Sequence, residues 1–266
     1  MLSRDRPASE MSLFQTLFFA ARLYRKGFRF FFTSTLLLSF VIFGLLAIVL
    51  MYQVNVVQGN PTFYDSAMGM ISQFFAMSLY ILVLSLLYLV GASIVTGYNL
   101  SIGEEIIAGN LPDQPGHRLS LKGVTGTFLL FLTVYVCVIV GSIILWVPGV
   151  LAAILLPLSI PSHLIEKTDV TGSLVQGYKL VKDRWLKTLL LFTLAGLVAS
   201  VIFIVLWVSL ATLSFVLIGV QGYVVTMFIL MMNGAVAYAL IEPFLYLTLL
   251  SHYYSMYARI GPTADS

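Results

Sequence analysis

Charge is scarce in this sequence: Asp, Glu, Lys and Arg make up 9% of 266 residues, against about 25% in an ordinary soluble domain. Such a chain cannot cover a globular surface with polar groups, which excludes a soluble monomer. Cysteine is nearly absent. Cys137 alone can form neither an intramolecular disulfide nor a thiolate metal cluster. No phosphate-cradling Gly-rich Lys-Ser/Thr loop, Gly-x-Ser-x-Gly elbow or His-Glu-x-x-His pair occurs. The expectation is therefore a protein that is not an enzyme and needs no cofactor. A net charge of only +3 gives nucleic-acid binding no support. What the chain has in abundance is apolar surface: 60% of its residues are hydrophobic and 14% aromatic, with a mean hydropathy of +1.01. That aromatic content is the opposite of a disordered composition.

A helix needs about 20 apolar residues to cross the hydrocarbon core. Runs at 30–51, 74–97, 124–147 and 150–165 qualify, the last shorter and broken by Pro157 and Pro161. The stretch 189–250 is far too long for one crossing and is divided at Gly219, Gln221 and Gly222, giving spans at 189–210 and 224–250. The expected fold is all-α: a polytopic bundle of six transmembrane helices with amphipathic helices on the cytoplasmic surface. The expected division is an N-terminal cytoplasmic segment 1–29, a six-helix domain 30–257 and a tail 258–266. The run of some thirty residues before a full-length first span reads as a retained helix and not a cleavable signal.

The distribution of basic residues sets the orientation. Arg4, Arg6, Arg22, Arg25, Lys26 and Arg29 precede the first span. Arg118 and Lys122 lie in the second connection, and Lys167, Lys179, Lys182, Arg184 and Lys187 in the fourth. Arg259 is in the tail, and the first, third and fifth connections hold no basic residue. Positive residues stay on the cytoplasmic side, so both termini are expected there.

Two segments read as interfacial helices. Over 11–29, Leu13, Phe14, Leu17, Phe18, Ala21 and Tyr24 share one side, and Gln15, Arg22, Arg25, Lys26 and Arg29 the other. Over 170–185, Leu174, Tyr178, Val181 and Trp185 share a side, with Ser173, Gln176, Lys182 and Asp183 opposite and a Lys179–Asp183 pair four residues apart. Arg22, Arg25, Lys26, Arg29, Lys179, Lys182, Arg184 and Lys187 are candidate contacts for anionic lipid. Trp185, Tyr253, Tyr254 and Tyr257 suit the headgroup level. Glu104 and Glu105, with Asp113 nearby, read as a solvated face, because an ion site needs more ligands. Ser93 with Gly97, and Ala235 with Ala239, suit close helix packing.

An ionisable residue at membrane depth is costly and marks function by default. Glu242, followed by Pro243, is the leading candidate; it lies in the sixth run, nearer its cytoplasmic end. Pro243 frees the carbonyl of Ala239. Glu242 is either a structural acid, neutral or paired with a lysine from 179–187 that holds the bundle together, or it lines a path through the bundle. His163 and Glu166, three residues apart, form a second candidate at the end of span four. They are two ligands, short of a metal site, and as an acid–base pair they lack a nucleophile and an oxyanion hole. His117 and His252 read as isolated and interfacial.

The stretch Trp146-Val-Pro-Gly-Val-Leu-Ala, the segment Pro157 to Pro161, His163-Leu-Ile-Glu-Lys, and Val175-Gln-Gly-Tyr-Lys-Leu-Val-Lys-Asp-Arg-Trp185 together resemble a known module. They are similar to the membrane domain of bacterial glycerophosphodiester phosphodiesterases and its stand-alone six-helix relatives. The segments Gly97-Tyr98 to Gly109-Asn-Leu-Pro112, and Glu242-Pro-Phe to Tyr253-Tyr254 and Arg259, are similar to related families. The resemblance implies a Pro-Gly turn between spans three and four, and a location in the bacterial inner membrane. The given chain holds no segment matching the catalytic domain of the two-domain relatives, so the resemblance transfers no activity. The expected role is a scaffold or accessory subunit in envelope or lipid-related processes, with anionic lipid and a membrane-protein partner or second copy as partners. The alternative is a transporter or lipid-handling permease with Glu242 on its path.

Overall fold

Apolar runs of this length satisfy their backbone groups inside a bilayer only as helices or closed barrels, and this chain is helical. The computed structural model describes residues 7, 9–59, 67–109, 121–144, 146–218 and 223–260. Among them the helices are α1 (Leu13–Gly59), α2 (Ala67–Ile107), α3 (Leu121–Ile144), α4 (Trp146–Leu155), α5 (Ser159–Glu166), α6 (Val170–Val181), α7 (Trp185–Ile218) and α8 (Tyr223–Ile260). A single turn of 3₁₀ helix, Lys182–Arg184, joins α6 to α7. Six stretches are long and apolar enough to span a membrane. α4 and α5 together make the fourth, broken at Leu156–Leu158 where Pro157 removes a backbone donor. The protein is thus an all-α polytopic membrane protein. The expected break at Gly219, Gln221 and Gly222, and the expectations for Arg4, Arg6, Asp113, His117 and Arg118, lie outside the described residues.

Small residues decide which faces meet. α1 packs most extensively on α8, and its buried stripe is Thr16, Ala20, Leu23, Gly27, Phe31, Thr35 and Ser39. Ala235 and Ala239 of α8, and Ser93 and Gly97 of α2, are buried as expected. On the apolar side expected for 11–29, Phe14 and Phe18 are 66% and 73% exposed, as an interfacial helix requires. Lipid is as apolar as phenylalanine, so helix association in a membrane favours residues that let backbones approach, and the large side chains turn outward. The segment joins the first span across a kink at Gly27 (φ −107°, ψ 16°), where two helices meet.

α6 follows the same rule. Its buried face is Ser173, Gly177, Leu180 and Val181; of the apolar side expected for 170–185, Val181 is buried and Tyr178 and Trp185 are exposed. A Cβ on Gly177 would stand 2.6 Å from the Ser159 backbone nitrogen. Asp183 pairs with Arg259 at 3.6 Å and not with Lys179. Tyr257 and Trp185 are exposed as headgroup anchors should be, but Tyr253 and Tyr254 are buried.

The buried apolar cluster gathers at the basic end of the bundle, where Leu23, Leu100, Ile107, Leu130, Leu158, Leu180, Leu250 and Met256 meet. The chain just before α1 is fastened there. Met11 N–H donates to Ser255 Oγ at 2.9 Å. Lys187 Nζ donates to Glu10 Oε1 at 2.5 Å and to the Met11 carbonyl at 2.6 Å. That bond from Lys187 holds the Glu10 carboxyl below its ordinary value of 4.5, against the opposing effect of partial burial. A depressed carboxyl pKa stabilises the docked state above the ordinary value, and that stability is lost as pH falls through the folded value. Backbone amide exchange at residues 11–16 is therefore expected to stay slow at neutral pH and to lose protection on the acid side of 4.5. Lys187→Met should remove the pH dependence; protection that is constant across that range would refute the latch.

Candidate functional site

Tyr238, Glu242 and Tyr246 follow one another at steps of four on α8, so they lie on one helix face. That face turns inward, and Glu242 is 3% exposed. Its Oε1 accepts from Tyr238 at 2.6 Å, from Tyr246, and from Tyr88 of α2 at 3.4 Å. The Tyr238 hydroxyl, 2.8 Å from that of Tyr88, competes with Glu242 for the one Tyr88 proton. Its Oε2 is buried with no hydrogen-bond partner. Phe43 of α1 packs on Tyr238 with ring centroids 5.9 Å apart. At 1.5 Å per residue, Phe43 stands about 20 Å along α1 from Arg29, and Tyr88 about 24 Å along α2 from Glu104. The carboxyl therefore sits deep in a hydrocarbon layer about 30 Å thick.

The lysine partner expected for Glu242 is engaged elsewhere: Lys187 is bound to Glu10. The phenols supply hydrogen bonds and no positive charge. α8 remains one helix through Pro243. In the turn that Pro243 loosens, the Leu240 carbonyl accepts the Tyr24 hydroxyl at 2.7 Å.

His163 and Glu166 are not brought together. His163 Nδ1 bonds the Thr168 carbonyl at 2.6 Å, and its Nε2 edge fills the space a side chain would need at Gly126 of α3. Glu166 accepts from Gln176 of α6 and from Tyr253 of α8. Each residue fastens α5 to a different neighbour. Lys167 takes a left-handed conformation (φ 54°) after α5, and Asp169 caps α6 by accepting from Gly172 N–H at 3.1 Å. His252 is fully buried, with Nε2 2.8 Å from Thr188 Oγ1, so it is not isolated. Among the described residues, no three His, Cys, Asp or Glu side chains converge as metal ligands do.

Of the lipid-contact candidates, Arg22, Arg25, Lys26, Arg29, Lys179, Lys182 and Arg184 are exposed. Lys187 is half-buried and held by Glu10. The tyrosines of the Glu242 centre were missed in the sequence, although two of them stand at i−4 and i+4 from the acid. A second polar contact, Ser34 and Thr35 of α1 with Asn99 of α2 at 2.9 and 3.3 Å, was missed as well. It ties these two spans together at the basic side of the centre.

Fold and site together define a multi-pass helical membrane protein with an acidic centre in its interior. Comparisons with protein-family models, with curated proteins and with solved structures find no match to this chain.

Proposed function

We propose that this chain is a non-enzymatic, lipid-handling permease of the bacterial inner membrane, with both termini in the cytoplasm. One observation carries the reading: a deeply buried carboxyl whose second oxygen has no partner and which no cation neutralises within its hydrogen-bonded set. A structural acid in hydrocarbon is paired, because an uncompensated buried charge is expensive. An acid with an open oxygen is suited to take up and release a proton or a hydrogen-bond donor. The exposed basic side chains at one end of the bundle supply a collar for anionic headgroups. The resemblance to the membrane domain of bacterial glycerophosphodiester phosphodiesterases agrees with a lipid context.

A second reading, a scaffold or accessory subunit for a membrane-protein partner or a second copy, is favoured by the close packing of the basic end and the docking of Met11 on Ser255. Glu242→Gln separates the two readings. In vesicles of phosphatidylethanolamine and phosphatidylglycerol, the wild type is expected to speed transbilayer movement of headgroup-labelled phosphatidylglycerol, read by dithionite quenching. Glu242→Gln should fall to the protein-free rate with its melting temperature unchanged. Wild-type vesicles no faster than empty ones, or a variant that loses only stability, would leave the scaffold reading standing.

A further inference from the structure

A groove of about 530 Å³ opens on the flank of the bundle between α1, α2 and α3. Ile42 and Leu46 form one wall, Ser85 and Tyr88 the floor, and Phe131 and Val138 the other wall. All six lie in membrane-spanning stretches. Tyr135 at the groove and the neighbouring Leu86 and Leu87 are exposed, so the opening faces sideways, into the layer that surrounds the spans. Tyr88 belongs to two places at once: its ring lines the groove, and its hydroxyl reaches Tyr238 and Glu242.

We propose that this groove seats one acyl chain of a bilayer phospholipid, entering from the side. Water is a poor occupant, because a buried water needs two to four polar partners and the lining is almost wholly apolar. A helix from a second copy would give protein–protein adducts on labelling and not lipid adducts. A flexible hydrocarbon chain fits the remaining space and is the species present at that depth. The seat brings the chain of a phospholipid against the phenol that touches Glu242, which names the substrate class of the proposed permease. Only the purpose of the seat rests on the lipid-handling reading; its occupancy does not.

The test is photolabelling of the reconstituted full chain by a phosphatidylglycerol that carries a diazirine in mid-chain, with adducts located by mass spectrometry. Labelling of Ile42, Leu46, Ser85 and Val138 is expected to exceed, several-fold, that of Leu197, Val201 and Ile204, which face outward on α7. Ser85→Trp, or Val138→Phe from the opposite wall, should bring groove labelling down to the α7 level. Equal labelling of groove and α7, undiminished labelling in a folded variant, or groove adducts formed with a second copy of the chain would each overturn the assignment. Groove labelling that persists in Glu242→Gln, in a protein that moves no lipid, would support the seat while the permease reading fails.

Discussion

Tyr238→Phe and Tyr246→Phe combined are expected to destabilise the protein by about 1–3 kcal/mol, because a buried hydrogen bond contributes about 0.5–1.5 kcal/mol. Both phenols donate to the same oxygen of Glu242, and no other side chain on α8 can replace them at that face. In a Glu242→Leu background, where the acceptor is gone, the same pair of substitutions should cost nothing or stabilise, because a buried hydroxyl without a partner is itself a penalty. The difference is the coupling between the phenols and the carboxyl, isolated by the cycle. Tyr88→Phe should cost about 0.5–1.5 kcal/mol, through loss of its 2.8 Å bond to the Tyr238 hydroxyl. Equilibrium unfolding in mixed micelles measures all of these. Equal losses in the two backgrounds would mean that the tyrosines act through packing alone and that the acid is not what they hold.

Gly141→Val is expected to cost about 3 kcal/mol or more, at the upper end for overpacking. A Cβ on Gly141 would stand 2.8 Å from the Gly149 nitrogen and 3.0 Å from the Pro148 carbonyl carbon. These are backbone atoms, so no side-chain rotation relieves the clash. The contact closes the α3–α4 hairpin and so sets where the fourth span begins. Gly196→Val of α7 is the control, since nothing lies within 4 Å of a Cβ there. A melting temperature for Gly141→Val close to that of Gly196→Val would show that the hairpin is held elsewhere.

The proline-glycine pair at 148–149 was expected as the turn between two spans, but both residues lie in the first turns of α4, and the close approach of Gly141 to Gly149 explains the glycine. Which face of α1 or α6 would be buried was not legible. In water the larger apolar side chains mark the inward face. In lipid that rule fails, and Phe14, Phe18, Tyr178 and Trp185 stay exposed, as the apolar side of an interfacial helix does. Glu242 was legible as an anomaly in an apolar run. Its tyrosine partners on α8 could have been found from the i−4 and i+4 spacing; Tyr88 could not, because only the α2–α8 packing brings it there. His163 and Glu166 looked like a pair because three residues separate them, yet His163 bonds the Thr168 carbonyl in the following loop and Glu166 accepts from Tyr253 of α8.

The sequence by itself determined that this protein is a six-span helical membrane protein with its basic residues gathered at alternate connections. Those properties follow from the length of apolar runs and from the cost of moving charge across hydrocarbon, and both can be read residue by residue. Only the tertiary structure decided that Glu242 meets phenols and not a lysine, and that its second oxygen is left open. It also decided that a groove lies one side chain away. Such facts depend on helix register and rotation, which close backbone approach settles between segments that are distant in the chain.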